Sequence, residues 1–210
     1  MGRYTGPSCR LCRREGIKLM LKGARCETAK CPMERQWRNS PPGMHSWRRR
    51  RGSEYRLRLR EKQKVKRYYG VFEKQFRKYF QMAERTRGNT GAALMSVLER
   101  RLDNVVCKLG FAPSRAAARQ IITHGHVYVN GRRLNIASYL VKVGDRISIK
   151  DSDRSQKLVR GSIEELGEPH LQNWLSLDLT KLQAEVTAQP TRDDVMIPVE
   201  EQLIVELCSQ

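Results

Sequence analysis

The chain has 210 residues, 39% of them hydrophobic and 30% charged, which suits one to two domains with a core of modest size. Its 41 Lys and Arg against 22 Asp and Glu give a net charge of +19, a field that attracts polyphosphate. No run of about 18 apolar residues is present and Met1 to Lys18 lacks the apolar centre of a signal peptide, so neither a membrane partner nor export is expected, and the cytoplasm is the expected location.

The charge is unevenly spread. Residues 1 to 90 carry 26 basic and 7 acidic side chains, residues 91 to 160 carry 13 and 5, and residues 161 to 210 carry 2 and 10. Nucleic acid is therefore the expected partner of the first three quarters, ahead of an anionic membrane. The acidic last segment is repelled from phosphate and is expected to fold back on basic helices or face a basic neighbour.

In chain order, the first feature is a set of four cysteines: Cys9 and Cys12 spaced Cys-x2-Cys, then Cys26 and Cys31 spaced Cys-x4-Cys, with 13 residues between the pairs. In a reducing compartment such spacing points to one tetrahedral Zn2+ held by four thiolates. An iron–sulfur cluster or unliganded thiols fit the same spacing. Few apolar residues surround them, so the metal would supply the missing folding free energy, on the order of 10 kcal/mol. Arg10, Arg13, Arg14, Arg25 and Lys30 would offset the excess negative charge. Protein sulfur fills all four positions, which makes the ion structural and not catalytic. Residues 1–44 are read as this zinc-binding segment and a linker containing Ser40-Pro41-Pro42-Gly43.

Residues 45–90 are expected to form a basic helical domain. Arg48, Arg49, Arg50 and Arg51 are an uninterrupted cationic run, either a solvated connector or counter-charge for a partner, with His45 and Trp47 beside it offering flat surfaces. Ser53 caps a helix that runs to Gly70. Tyr55, Leu59, Val65 and Tyr69 make its apolar stripe, and Arg56, Arg60, Lys64 and Arg67 the opposite, phosphate-facing side, because only Glu54 and Glu61 interrupt the run. Phe72, Phe76, Tyr79 and Phe80 mark a second helix to about Thr86 with these aromatics in its core.

Residues 91–175 are expected to be a small α/β module, two helices on a short sheet. Leu94, Leu98, Leu102, Val105 and Leu109 predict one helix of roughly five turns ending at Gly110. Pro113-Ser114 opens the next, with Ala118, Ile121 and Ile122 buried and Arg115 and Arg119 on its basic edge, ending at Gly125. Val127 and Val129 then alternate with His126 and Tyr128, Asn130-Gly131 supplies a two-residue hairpin turn, and Arg146 to Ile149 alternates again. Asp151 to Gly167 is polar with weak helical character near Leu158 to Leu166. Trp174 to Leu177 alternates, Pro198 precedes a short helix or strand, and residues 176–210 are expected to pack on the 45–90 helices. The overall class is α+β.

Four separated motifs carry a resemblance. Arg101-Leu102-Asp103-Asn104-Val105-Val106, Ser114 to Gln120, Gly125-His126-Val127 and Val129 to Arg133 resemble the RNA-binding module named after the fourth protein of the small ribosomal subunit. Tyrosyl-tRNA synthetases, pseudouridine synthases and a small heat-shock RNA binder share that module. Arg58 to Val65, however, resembles the amino-terminal domain of small-subunit protein four itself, and the cysteine pairs, with Pro41-Pro42-Gly43 and His45, resemble its zinc-bearing variant. Trp174-Leu175-Ser176 and the ending from Ile197 are similar too. Met44, Ser46, Glu200 and Gln210 depart from the family's usual residues.

The resemblance implies a primary binder of small-subunit (16S) rRNA, at its 5′ domain, that nucleates the subunit body and, with small-subunit proteins five and twelve, maintains decoding accuracy. The RNA-contacting residues implied or read from the charge pattern are Arg48, Arg49, Arg50, Arg51, Arg56, Arg58, Arg60, Lys62, Lys64, Arg67, Ser114, Arg115, Arg119, His124, Asn130, Arg132 and Arg133. No nucleophile, base and orienting group recur at a spacing that assembles an active site, so no enzyme and no small-molecule substrate are expected. The alternatives are a zinc-containing regulator, repressing translation or binding duplex DNA, and an RNA-modifying enzyme that uses the module as an address tag.

Overall fold

The computed structural model describes residues 2–44, 52–167, 169 and 171–209. His45, Ser46, Trp47, Arg48, Arg49, Arg50, Arg51, His170 and Gln210 lie outside the described residues. The chain forms two compact units, residues 1–94 with 196–210, and residues 95–195.

The first unit is helical. Helix α1 (Ser8–Glu15) ends at Gly16 in the left-handed region, and a 3-10 turn covers Gly23–Cys26. Helix α2 (Glu54–Tyr68) starts where the Ser53 hydroxyl accepts from the Arg56 N–H at 3.3 Å. It stops in a Schellman turn. Gly70 takes φ +63°, its N–H donates to the Arg67 carbonyl, and the Val71 N–H reaches the Lys66 carbonyl at 2.8 Å. Helix α3 (Glu73–Glu84) follows at once. Val65, Tyr68, Tyr69, Phe76, Tyr79, Phe80 and Ala83 are buried, with the Tyr68 and Tyr69 rings edge to face at 4.9 Å. Three residues of the expected stripes are not, Leu59 being half-buried. Tyr55 is 61% exposed in the first turn of α2 and Phe72 is 49% exposed just before α3.

Helix α4 (Thr90–Glu99) is followed by α5 (Leu102–Lys108), where the leucine spacing predicts one continuous helix. The break has a backbone cause. Arg101 is extended at ψ 134° and bridges Leu140, while the Leu102 and Asp103 N–H groups donate to the carbonyls of Tyr139 and Ala137 at 2.8 and 3.1 Å. Groups that a continuous helix would pair internally are taken by a distant strand-like segment.

Helix α6 (Arg115–Thr123) has Ser114 as N-cap and another Schellman turn at Gly125, φ +76°. Strands β1 (Val127–Val129) and β2 (Arg132–Arg133) flank Asn130 and Gly131, both at positive φ as the hairpin turn requires. Strand β3 (Arg146–Ile149), helix α7 (Asp153–Leu166), and strands β4 (Leu175–Asp178) and β5 (Gln183–Val186) complete the second unit. The sheet is antiparallel, ordered β2-β1-β3-β5-β4.

Residues 176–186 thus join this sheet rather than the first-unit helices, because Leu175, Ala184 and Val186 alternate onto the core that holds Trp174, Ile147 and Val159. Only the stretch from Met196, with helix α8 (Glu201–Cys208), belongs to the first unit, packed against α2.

Candidate nucleic-acid interface

In the first unit, the cations of α2 are held by carboxylates. Arg58 donates to Glu206 at 2.7 Å and to Glu54 at 3.0 Å, Arg60 donates to Glu15 at 3.3 Å, and Arg67 also pairs with Glu15. Lys62 and Lys66 share the Glu73 carboxylate, each at 2.7 Å, and Lys64 pairs with Glu61 at 2.5 Å. The expectation that acidic partners are scarce fails because Glu15, Glu73 and Glu206 arrive from α1, α3 and α8. Lys62 is buried and braces α3. Arg56 is exposed. Further exposed cations lie on and after α3: Lys74, Arg77 and Lys78 at helical spacing, of which Arg77 donates to Glu73 at 3.3 Å, then Arg85 and Arg87. Their signal in the sequence was spacing on one face of the second helix, opposite its aromatics.

The electrostatics of Glu73 follow from that clasp. Burial pushes its carboxyl up, but hydrogen bonds from Lys62 and Lys66 outweigh this and hold it at about 2.

Three of the four clustered thiols, Cys12, Cys26 and Cys31, are buried and Cys9 is half-buried. The Lys22 N–H donates to the Cys26 sulfur at 3.4 Å. Burial pushes the Cys12 thiol up, the Leu19 N–H pulls it down, and the nearby Cys26, Cys9 and Cys31 raise it further. The donor set is chemically that of a structural zinc site. As placed, no three or more His, Cys, Asp or Glu side chains among the described residues form a group that could hold an ion.

In the second unit, the basic edge of α6 rests on buried polar groups. Arg115 Nε donates to Asn104 Oδ1 at 2.7 Å; Asn104 Nδ2 in turn donates to the Glu99 carboxylate at 2.6 Å, and Lys108 pairs with that same carboxylate at 2.5 Å. Glu99 and Asn104 are each 0% exposed. Arg119 approaches Asp103 at 4.0 Å, and Asp103 is paired with buried Arg101. The two arginines are therefore oriented before any ligand arrives. Burial pushes the Lys108 ammonium down, and Glu99 opposes it.

Ser114 is spent on capping: its hydroxyl accepts from the Ala117 N–H at 3.3 Å and the residue is buried. Asn130 is a latch for the hairpin, donating to Asp145 and accepting from the Arg146 N–H, each at 2.8 Å. Arg132, Arg133 and His124 are exposed. Arg133 Nη2 donates to the His124 carbonyl at 3.5 Å, which joins β2 to the end of α6. The second unit thus gathers Arg115, Arg119, His124, Arg132 and Arg133 around one helix and one hairpin.

Comparison with known proteins agrees with both units. Residues 3–99 match the family model described as "Ribosomal protein S4/S9 N-terminal domain", and residues 100–147 match "S4 domain". The chain is 56% identical over 210 residues to "Small ribosomal subunit protein uS4" of Halothermothrix orenii, with 100% of each chain covered. It is 52% identical to "Small ribosomal subunit protein uS4A" of Symbiobacterium thermophilum over 210 residues and 50% identical over 211 residues to the uS4 protein of Thermus thermophilus, again with 100% of each covered.

Proposed function

The chain belongs to the family of small ribosomal subunit protein uS4, and from that premise we propose that it is a structural constituent of the small ribosomal subunit in the cytoplasm, gripping 16S rRNA by its sugar-phosphate outline. The observation that carries this reading is the anchoring of Arg115 on Asn104 at the start of α6, together with the exposed Arg132 and Arg133 on β2 in the same unit. Helical RNA hides its base edges in a deep, narrow groove, so a protein holds it by backbone geometry and by unpaired junctions. Guanidinium groups fixed in orientation suit the phosphates of such a scaffold.

The finer reading is direct, early binding at the 5′ domain, nucleation of the subunit body, and maintenance of decoding accuracy together with small-subunit proteins five and twelve. The family and the basic surface support it. The acidic last segment, residues 161–210, offers a face for a basic protein neighbour. In the first unit we propose that Cys9, Cys12, Cys26 and Cys31 hold one structural Zn2+; the burial of three thiols and the N–H donor at Cys26 support this. An all-sulfur site supplies folding energy and has no position for a reacting water.

Equilibrium binding of the full chain to a 16S 5′-domain transcript tests the proposal. We expect affinity to fall steeply with salt, by about 0.7–0.9 in log K per phosphate contact for each unit of log salt, and duplex DNA of equal length to compete poorly. A shallow slope, or equal competition by DNA, contradicts it and favours the zinc-containing regulator.

A further inference from the structure

We propose that His124, His126, Arg133, Lys150 and Arg154 form one phosphate-binding cluster that carries the RNA surface of the second unit past the matched module, which ends at residue 147, onto the start of α7. The inference rests on the RNA-binding reading above and extends that surface from His124 and Arg133 to Lys150 and Arg154.

Five side chains from four places in the chain meet here. The Schellman turn at Gly125 sets the His124 and His126 rings with centroids 6.3 Å apart and planes inclined by 52°. Arg133 is laid across that turn: a Cβ added to Gly125 would collide with its guanidinium, and its Nη2 reaches the His124 carbonyl at 3.5 Å. The left-handed backbone at 125 favours glycine, and a side chain there would also push the Arg133 guanidinium aside. On the other side, the Lys150 N–H donates to the His126 carbonyl at 2.8 Å, which places Lys150 directly after β3 and beside the imidazole. The His126 Nδ1 lies 2.8 Å from the Ser155 hydroxyl, so Arg154, the preceding residue on α7, is brought to the same spot. His124, Arg133, Lys150 and Arg154 are exposed and His126 is half-buried.

The charges around His126 share one sign. Burial depresses its imidazolium, and His124, Lys150, Arg133 and Arg154 each depress it further. The carboxylates next along the chain are Asp151, which accepts from the Gln156 side chain at 3.0 Å, and Asp153 in the first turn of α7. An open cluster of guanidinium, ammonium and imidazole groups is chemically matched to a phosphodiester, whose two non-bridging oxygens accept several charge-assisted hydrogen bonds. Its position beside Arg132 and the α6 edge makes an RNA backbone the fitting source of that phosphate.

The test uses the full chain with the 16S 5′-domain transcript. Lys150→Gln with Arg154→Gln, both exposed positions, should weaken binding about tenfold and reduce the steepness of the salt dependence by about 1–2 phosphate equivalents. Parent and variant with equal affinity and equal slope overturn the cluster. A parent that fails to bind the transcript overturns the functional reading itself. A second readout follows the His126 imidazole by NMR: saturating RNA should raise its titration midpoint, because a phosphate favours the imidazolium. An unmoved midpoint overturns the proposal, as does an equal rise with inorganic phosphate at matched phosphate concentration, which would mark a free-ion site.

Discussion

The carboxylate of Glu15 is buried against the guanidinium of Arg67, with Arg60 donating to the same oxygen at 3.3 Å, while the Glu15 side chain is 1% exposed and its second oxygen has no hydrogen-bond partner among the described residues. This contact ties the cysteine-bearing segment to α2. Burial pushes the Glu15 carboxyl up, and the opposing pull of Arg67, Arg60, Lys64 and Arg14 does not fully offset it. A carboxyl raised above its ordinary value near 4.5 binds its proton more tightly in the folded state. Its contribution to stability is therefore complete below that ordinary value and lost as pH rises through the folded value. The difference in melting temperature between Glu15→Gln and the parent should move in favour of the variant from pH 4.5 to pH 8. A difference that stays constant across thermal melts in that range contradicts this account.

Glu73 should behave oppositely. Held at about 2 by Lys62 and Lys66, it contributes stability that is present above its ordinary value near 4.5 and lost as pH falls through about 2. The side chain is 39% exposed, so solvent screening limits the effect to about 1 kcal/mol. Glu73→Gln should be less stable than the parent at pH 7 in urea titrations, and the two should converge below pH 3. A gap that persists at pH 2 would place the effect in packing and not in charge.

Much of the second unit was legible because its signals are local. Ser114 and Gly125 bracket α6, Asn130-Gly131 makes the hairpin, and Val127 and Val129 face the core as their alternation demands. The same holds for Ser53 and Gly70 around α2. What escaped depends on residues far apart in the chain. The counter-charges of α2 come from Glu15 and Glu206, and Glu206 lies 148 residues from Arg58. Arg101 interrupts a leucine-spaced helix because the carbonyls of Ala137 and Tyr139 claim its neighbours. Strand β5 gave no hint of its own, since Gln183 to Val186 pairs with β3 across a whole helix. At the candidate interface, Arg115, Arg119, Arg132 and Arg133 were readable as cations, but the Asn104 and Asp103 supports beneath α6 were not, because burial of a polar side chain leaves no periodic mark.

Those supports can be tested directly. Asn104→Ala removes the acceptor of Arg115 Nε and a donor to the buried Glu99 carboxylate, while the Lys108 pairing with that carboxylate stays. The expected cost is about 2–3 kcal/mol in urea unfolding, with weaker RNA binding once Arg115 loses its Asn104 acceptor, even at temperatures where the variant is fully folded. Unchanged stability would mean that the network is dispensable.

Metal content separates the reading of the four cysteines from its rivals. Native mass spectrometry of freshly purified protein should show one zinc per chain, and chelation should lower the stability of the first unit, with Cys26→Ser losing the ion. Iron and sulfide, or no metal, contradicts the zinc assignment and leaves the RNA-binding account standing.

On the function proposed above, cations of the second unit hold rRNA by its backbone. The most direct measurement is the occupancy of Arg132→Glu with Arg133→Glu in small subunits reconstituted against an equal amount of the parent chain. Both residues are exposed on β2, and the exchange removes the 3.5 Å donation from Arg133 to the His124 carbonyl but breaks no buried ion pair among the described residues, so the variant is expected to fold. Strong exclusion of the variant, tenfold or more, is the predicted result. Entry at parity with the parent would contradict the account.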